Sequence, residues 1–127
     1  MTGDLASIAA ALRDALKDYG LKRSFDYVPD AVAVPCAIVG YPDVAYDNDM
    51  SNTHTATFRV HLLVGRATDR TAYKNLTPHL APSKVKAALE LDGTIRVTAA
   101  SVSPIAVAET DYIGATFTVE VFFEEEA

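Results

Sequence analysis

A single cysteine, Cys36, stands in the 127 residues of this chain. One thiol can form neither an intramolecular disulfide nor a thiolate metal cluster. Its place in the apolar run Pro35 to Gly40 predicts a small buried hydrophobe and not a nucleophile. No apolar run approaches the ~18 residues of a membrane-spanning helix, and the first residues lack a basic-then-apolar leader pattern. These absences predict a soluble protein made in a reducing compartment. Catalytic signatures are missing too: there is no glycine-rich phosphate cradle, no Gly-x-Ser-x-Gly elbow and no His-Glu-x-x-His. His54 and His61 lie seven apart on an expected strand, so they point to opposite faces and cannot share a metal. His79 has no His or Cys near it in sequence. Asp47-Asn48-Asp49 opens like a calcium loop but lacks the glycine at its sixth position and the glutamate at its twelfth. The chain reads as a non-enzyme, with no catalytic residues, no metal and no cofactor.

Charge of one sign is also missing from two stretches. The net charge of −6 comes from 17 acids and 11 bases. Between Ser24 and Phe58 there are Asp26, Asp30, Asp43, Asp47 and Asp49 but no Lys or Arg. After Arg96 there is again no base, only Glu109, Asp111, Glu120 and the terminal Glu124, Glu125 and Glu126. The bases gather at Arg13, Lys17, Lys22 and Arg23, and then from Arg59 to Arg96. Ordinary DNA or RNA binding needs a basic footprint that no expected helix supplies. An acidic surface keeps a protein soluble. Its segregation from the bases points to one face that repels polyanions and another that meets a partner.

What the chain does have is alternation. His54, Ala56, Phe58, Val60, Leu62 and Val64 interleave with Thr55, Thr57, Arg59, His61 and Leu63. Ile113, Ala115, Phe117, Val119, Val121 and Phe123 interleave with Gly114, Thr116, Thr118 and Glu120. Period-two patterns predict long strands with one buried and one wet face. Eleven residues span roughly 37 Å, whereas a compact chain of this length is only about 36 Å across. Such strands reach across the whole domain and offer edges to neighbours. Gly114 reads as a bulge or a point of close packing.

The remaining elements follow from spacing. Asp4 caps a helix carrying Leu5, Ile8, Leu12, Leu16 and Tyr19 on one side, stopped by Gly20. Phe25 to Val28 and Cys36 to Tyr41 read as short strands, and Asp43 to Asn52 as the polar tip of a hairpin whose return arm ends at Gly65. Thr68 or Asp69 caps a helix with Ala72, Tyr73, Leu76 and Leu80 on its apolar side, ended or kinked by Pro78. Ser83 caps a further turn with Val85, Ala88 and Leu89, and Asp92-Gly93 leads into a strand with Ile95, Val97 and Ala99 inward. A short segment from Ile105 to Val107 precedes the final strand. The expectation is one α+β domain over residues 1–127, with a mostly antiparallel sheet of long strands and helices packed on one face.

Taken together, "YVPDAVAVPCAIVGYPDVAYD", "TFRVHLLVGRATDRTA", "SKVKAALE" and "DYIGATFTVEV" resemble, in order and spacing, the tail terminator (tail completion) proteins of long-tailed bacteriophages, particularly those of actinobacteria. The resemblance runs over roughly residues 4 to 123 and rests on fold-level patterns. The Ala81-Pro82-Ser83 connection departs from it, being shorter than the Gly/Ser-rich stretch often found there. The resemblance implies a hexameric ring in the neck of the virion, assembled in the host cytoplasm. That ring caps the tail tube, stops its polymerisation and joins the tail to the head connector. Its partners are then further copies of itself, the tail tube protein and the connector or head completion protein, with no membrane. DNA passes through the lumen without specific binding. Arg66, Arg70 and Lys74 are the candidate partner or ring contact. Asp43, Asp47 and Asp49 are candidates for a loop facing the lumen or an adjacent ring, chosen for their polarity and for the lack of bases nearby in sequence. Another head–tail joining protein is the alternative; a non-viral binding domain would need an apolar pocket with convergent polar groups, for which the sequence offers no cluster.

Overall fold

The computed structural model describes residues 4–46, 53–68 and 70–124. Helix α1, Leu5–Tyr19, begins where Asp4 Oδ1 accepts the Ser7 N–H at 2.7 Å. It ends at Gly20, whose φ of 127° is open only to glycine without strain. Ile8, Leu12, Ala15 and Leu16 form its buried stripe. Strands β1 (Ser24–Phe25), β2 (Cys36–Val39), β3 (Asp43–Ala45) and β4 (Thr53–Arg66) follow. Helix α2 covers Arg70–Leu76. Pro78 lacks the N–H that would continue it, so the chain tightens into a 3₁₀ turn, Thr77–Leu80. An irregular helical turn, Pro82–Lys86, runs into the short α3, Ala87–Leu89. Strands β5 (Ile95–Val107) and β6 (Thr110–Glu124) complete the chain.

The strands form one mixed sheet in the order β1-β2-β4-β6-β5, with β3 pairing β4 beyond the end of β2. Among the described residues only β1–β2 is parallel. The β4–β6 ladder runs from Thr53 opposite Glu124 to Arg66 opposite Tyr112, and is the longest in the sheet. All helices lie over one face. There Ala56, Phe58, Val60 and Leu62 of β4 and Phe117, Val119 and Val121 of β6 meet Ile8, Leu12, Leu16, Leu76, Val85 and Leu89. The α+β architecture with helices on one face is the one the sequence predicts.

The opposite face is less wet than alternation predicts. Cys36, Ile38, Leu63 and Val107 form a second buried cluster there, covered by Phe25, Val32, Val34, Ile105 and Tyr112. Gly114 makes this cluster possible. A methyl group at its Cα would sit 2.7 Å from Ile105 Cδ1, 2.8 Å from Leu63 Cδ2 and 2.9 Å from the Leu62 carbonyl oxygen. Close packing, one of the two readings of this glycine, is the correct one.

Several sequence expectations need correction. The first strand stops at Phe25, leaving Tyr27 and Val28 exposed. Strand β4 does not close at Gly65 but passes through a bulge between Leu63 and Gly65 and ends at Arg66. Asp43 opens strand β3 and is not part of a loop. The segment around Ile105 is no separate strand: β5 is continuous over thirteen residues. A bulge between Val97 and Ala99 shifts its register, so Ala99 faces outward. Tyr73 is 53% exposed, because α2 buries only Ala72 and Leu76. The turn before α3 starts at Pro82 with Ala81 in the cap position, and Ser83 makes no cap bond.

Burial separates two neighbours on β6. Phe117 is 1% exposed, whereas Thr118 stands on the other, half-open side of the strand. Phe117→Ala is expected to lose about 3–5 kcal/mol and Thr118→Ala well under 1 kcal/mol on a scale where surface changes stay within about 0.5. Gly114→Ala should lose roughly 1–3 kcal/mol through overpacking. Urea unfolding of the three variants checks the register, and equal losses at 117 and 118 would contradict it.

Candidate assembly surfaces

The three bases proposed from sequence all come to the end of β4. Arg66 is its last residue, Arg70 opens α2, and Lys74 follows one turn later on the same side of that helix. All three are exposed, and none has a carboxylate within 4 Å among the described residues. The adjacent Ala67 N–H donates to the Asp111 carbonyl at 3.0 Å, which fastens this corner to the start of β6.

Asp43 has a base beside it after all. Its Oδ2 lies 2.8 Å from Arg59 Nη1, across the β3–β4 pair, which sequence distance concealed. Both groups are largely exposed, so this pair adds little stability. Asp47 and Asp49 lie outside the described residues. Near this end of the sheet Tyr41 and Tyr46 are 69% and 74% exposed, and Tyr46 meets the His54 ring edge-on at 5.5 Å.

Strand β5 is the outer edge of the sheet, and its two halves differ. The first half is closed by the chain itself: the Ile95 N–H donates to the Asp92 carbonyl, and the Val97 N–H to Glu90 Oε2 at 3.0 Å. Glu90 is held in place by Lys86 Nζ at 2.7 Å, and that bond draws its carboxyl below the ordinary value. The second half has no such cover. The two-residue turn at Ala108-Glu109 makes Val107 and Thr110 a hydrogen-bonded pair, so alternate residues Ala106, Pro104, Val102 and Ala100 direct their backbone groups away from β6. Pro104 fits because its missing donor falls on the outer side. The outward N–H groups of Ala100, Val102 and Ala106 have no partner among the described residues. Beyond them, Ala108 and Glu109 hold φ of 50° and 66°, values that non-glycine residues seldom adopt.

On the opposite side of the sheet, beside β1, lies a shallow cleft of about 360 Å³. Four bases, Arg13, Lys17, Lys22 and Arg23, line it together with Ser24, Phe25, Asp26 and Tyr27. Arg13 is engaged with Asp14 at 3.2 Å and Asp26 at 3.1 Å. Lys17, Lys22 and Arg23 have no carboxylate within 4 Å among the described residues. Sequence reasoning noted these bases but not that the α1–β1 connection folds them onto one cleft with two aromatic rings. It also passed over the β5 edge. The available signal was the uncharged run from Val97 to Ala108.

The titratable groups inside the fold are structural. Burial pushes the Cys36 thiol up to about 11, which suppresses the reactive thiolate. His61 bonds Thr116 Oγ1 at 2.9 Å, and its pKa is lowered by burial and by the Arg59 charge. His79 bonds the Tyr19 hydroxyl at 2.6 Å, and burial followed by Lys84 lowers it as well. Among the described residues no group of three His, Cys, Asp or Glu is placed to hold a metal, and no helix is long and apolar enough to cross a membrane.

No family model matches the chain, and a search of curated proteins finds no match. Among solved structures the chain is similar to a chain in the virion of a native gene transfer agent (GTA) particle. The two share 18% identity and superpose with a TM-score of 0.55, over 90% of this chain and 93% of that one. This chain shares its fold with a virion component. The likeness covers the sheet and helices together, since little of either chain is left outside it.

The lowered pKa values of His61 and His79 mean that the folded chain binds fewer protons than the unfolded one. Their contribution is therefore complete above the ordinary histidine value of 6.5 and is lost as pH falls below it. The melting temperature should drop between pH 7.5 and 5.5, and less steeply in His61→Gln. An unchanged slope in that variant would show that His61 is not the group that couples to the fold.

Proposed function

We propose that this chain is a structural virion protein that forms a ring, hexameric in the assembled particle, on the end of a phage-type tail tube. The ring stops tube growth and joins the tail to the head connector. The observation that carries the reading is the fold shared with a GTA virion chain over nine-tenths of the length. The sequence resemblance to tail terminators supports the specific role. So does an open sheet edge, which monomers normally suppress and which a ring can use.

Termination on this reading needs occupancy and no catalysis. A tube end offers the same edge to the next tube ring or to the terminator. A bound terminator buries that edge and shows a different surface outward. A preference of ~1.4 kcal/mol already gives a tenfold bias. Arg66, Arg70 and Lys74, exposed at one corner and without carboxylate partners, are assigned to the tube contact. Acidic groups facing the lumen would keep passing DNA from adhering, because screening acts only beyond about 8–10 Å; Asp43, paired with Arg59, adds little to that repulsion. A closed ring requires head-to-tail contacts in which two different surfaces of one subunit match.

Removing the protein from a particle-producing system should leave filled heads without tails and tubes that grow past their normal length, both visible by electron microscopy. Normal-length tails joined to heads would rule out termination. Normal-length tails lying free would favour the alternative of a head-side joining protein. Replacing Arg66, Arg70 and Lys74 together by Glu should reproduce the deletion while leaving the melting temperature of the isolated chain unchanged.

A further inference from the structure

We propose that subunits associate by setting the β5–β6 hairpin of one copy into the basic cleft beside β1 of the next. Glu109 and Asp111 then face Lys17, Lys22 and Arg23. The inference rests on the ring reading and names the two surfaces that the reading leaves open.

Four observations carry it. The hairpin and the cleft belong to opposite edges of the sheet, separated by β2, β4 and β6, so one copy cannot satisfy itself. Two different surfaces meeting head to tail are what a ring demands. The charges are complementary and uncompensated: Glu109 and Asp111 are exposed acids, and neither they nor Lys17, Lys22 and Arg23 take part in an ion pair within 4 Å among the described residues. Next, the half of β5 that leads to the tip is free of charge and built from Ala, Ser, Val, Pro and Ile. Natural edge strands usually defend themselves with lysines or inward charges. Here the chain closes the first half through Asp92 and Glu90 and leaves the second half open. The outward carbonyls of Ala100, Val102, Pro104 and Ala106 can accept from lysine and arginine side chains, and small side chains allow that approach. Finally, the turn places Ala108 and Glu109 at positive φ where Asn-Gly would be relaxed. A strained turn retained at an exposed tip points to a use for the geometry it holds. It presents Glu109 at the extreme end of a continuous two-stranded arm.

Phe25 and Tyr27, with ring centroids 5.6 Å apart and edge-to-face, are the aromatic part of the cleft's lining. They offer the exposed Pro104, Ala106 and Ala108 of the neighbour's hairpin a surface beside the charges. The contact therefore combines a charged centre with apolar flanks, and its strength falls as salt rises.

The experiment uses full-length chains in two differently tagged forms, one carrying Glu109→Cys and the other Lys22→Cys. The native Cys36 is fully buried and does not compete. Mixed at roughly 1 mM, where even a weak association is populated, and oxidised, they should give mainly the mixed disulfide. A Glu109→Cys chain mixed with a Ser7→Cys chain serves as the control, and at least a tenfold excess over it is expected. Linkage no faster than the control would overturn the proposal. Charge exchange gives an independent arm read by sedimentation. Glu109→Lys with Asp111→Lys should lose self-association, as should Lys22→Glu with Arg23→Glu, and mixing the two variants should restore it. All four positions are exposed, so circular dichroism should report unchanged folds. Wild-type rings that survive both charge reversals would contradict the assigned surfaces while leaving the ring reading intact. A closed two-fold dimer in the wild type would contradict the ring reading itself. No self-association of the wild type at that concentration would count against the proposed contact.

Discussion

The β4–β6 ladder is the constraint on which the rest of the structure depends. It aligns two strands of fourteen and fifteen residues so that Phe58, Val60, Phe117, Val119 and Val121 form one buried stripe. Sliding either strand by one residue would turn that stripe toward solvent and bring Arg59 and Glu120 into the core. Everything else is positioned against this ladder. The helices cover the stripe, β2 and β3 share one flank of β4, and β5 follows β6 along the other. The length of the strands has a second consequence. The thirteen residues of β5 extend well past the Asp92 and Glu90 contacts that close its first half, and the rest of that edge stays open.

Alternation over eleven residues is a strong signal, which is why both long strands and the buried side of β6 could be read directly. The α1 boundaries were equally legible, because Asp4 and Gly20 each have a specific geometric task at a helix end. What escaped reading was register change. A bulge adds one residue without altering composition, so neither the turnover at Thr98 that exposes Ala99 nor the one before Gly65 could be anticipated. The second cluster escaped for a related reason. It depends on Leu63 and Ile105 meeting over Gly114 from strands that are distant in sequence. The candidate surfaces divide in the same way. Arg66, Arg70 and Lys74 are close in sequence and stay close in space, whereas the Arg59–Asp43 pair and the cleft beside β1 arise only from the fold.

The distribution of stabilising devices over the surface carries a functional meaning. Glu90 illustrates it: one carboxylate receives Lys86 on its own helix and the Val97 N–H at the β5 bulge, closing an edge that would otherwise recruit another strand. The same strand a few residues later is left uncovered, uncharged and composed of small side chains. The chain protects one half of this edge and exposes the other, as the proposed contact between copies requires. The basic cleft at the far edge shows the matching asymmetry, with Arg13 compensated by Asp14 and Asp26 while Lys17, Lys22 and Arg23 are not. Asymmetric edges of this kind suit a subunit that assembles head to tail.

The most direct test of the account is an image of an assembled particle in which this subunit is located, for example by a labelled tag, at a resolution that separates subunits around the tail axis. The account predicts one closed ring of six copies at the head-proximal end of the tube, with the β5 side of each sheet against the β1 side of its neighbour. Copies distributed along the tube, or a site in the head shell away from the tail axis, would contradict it.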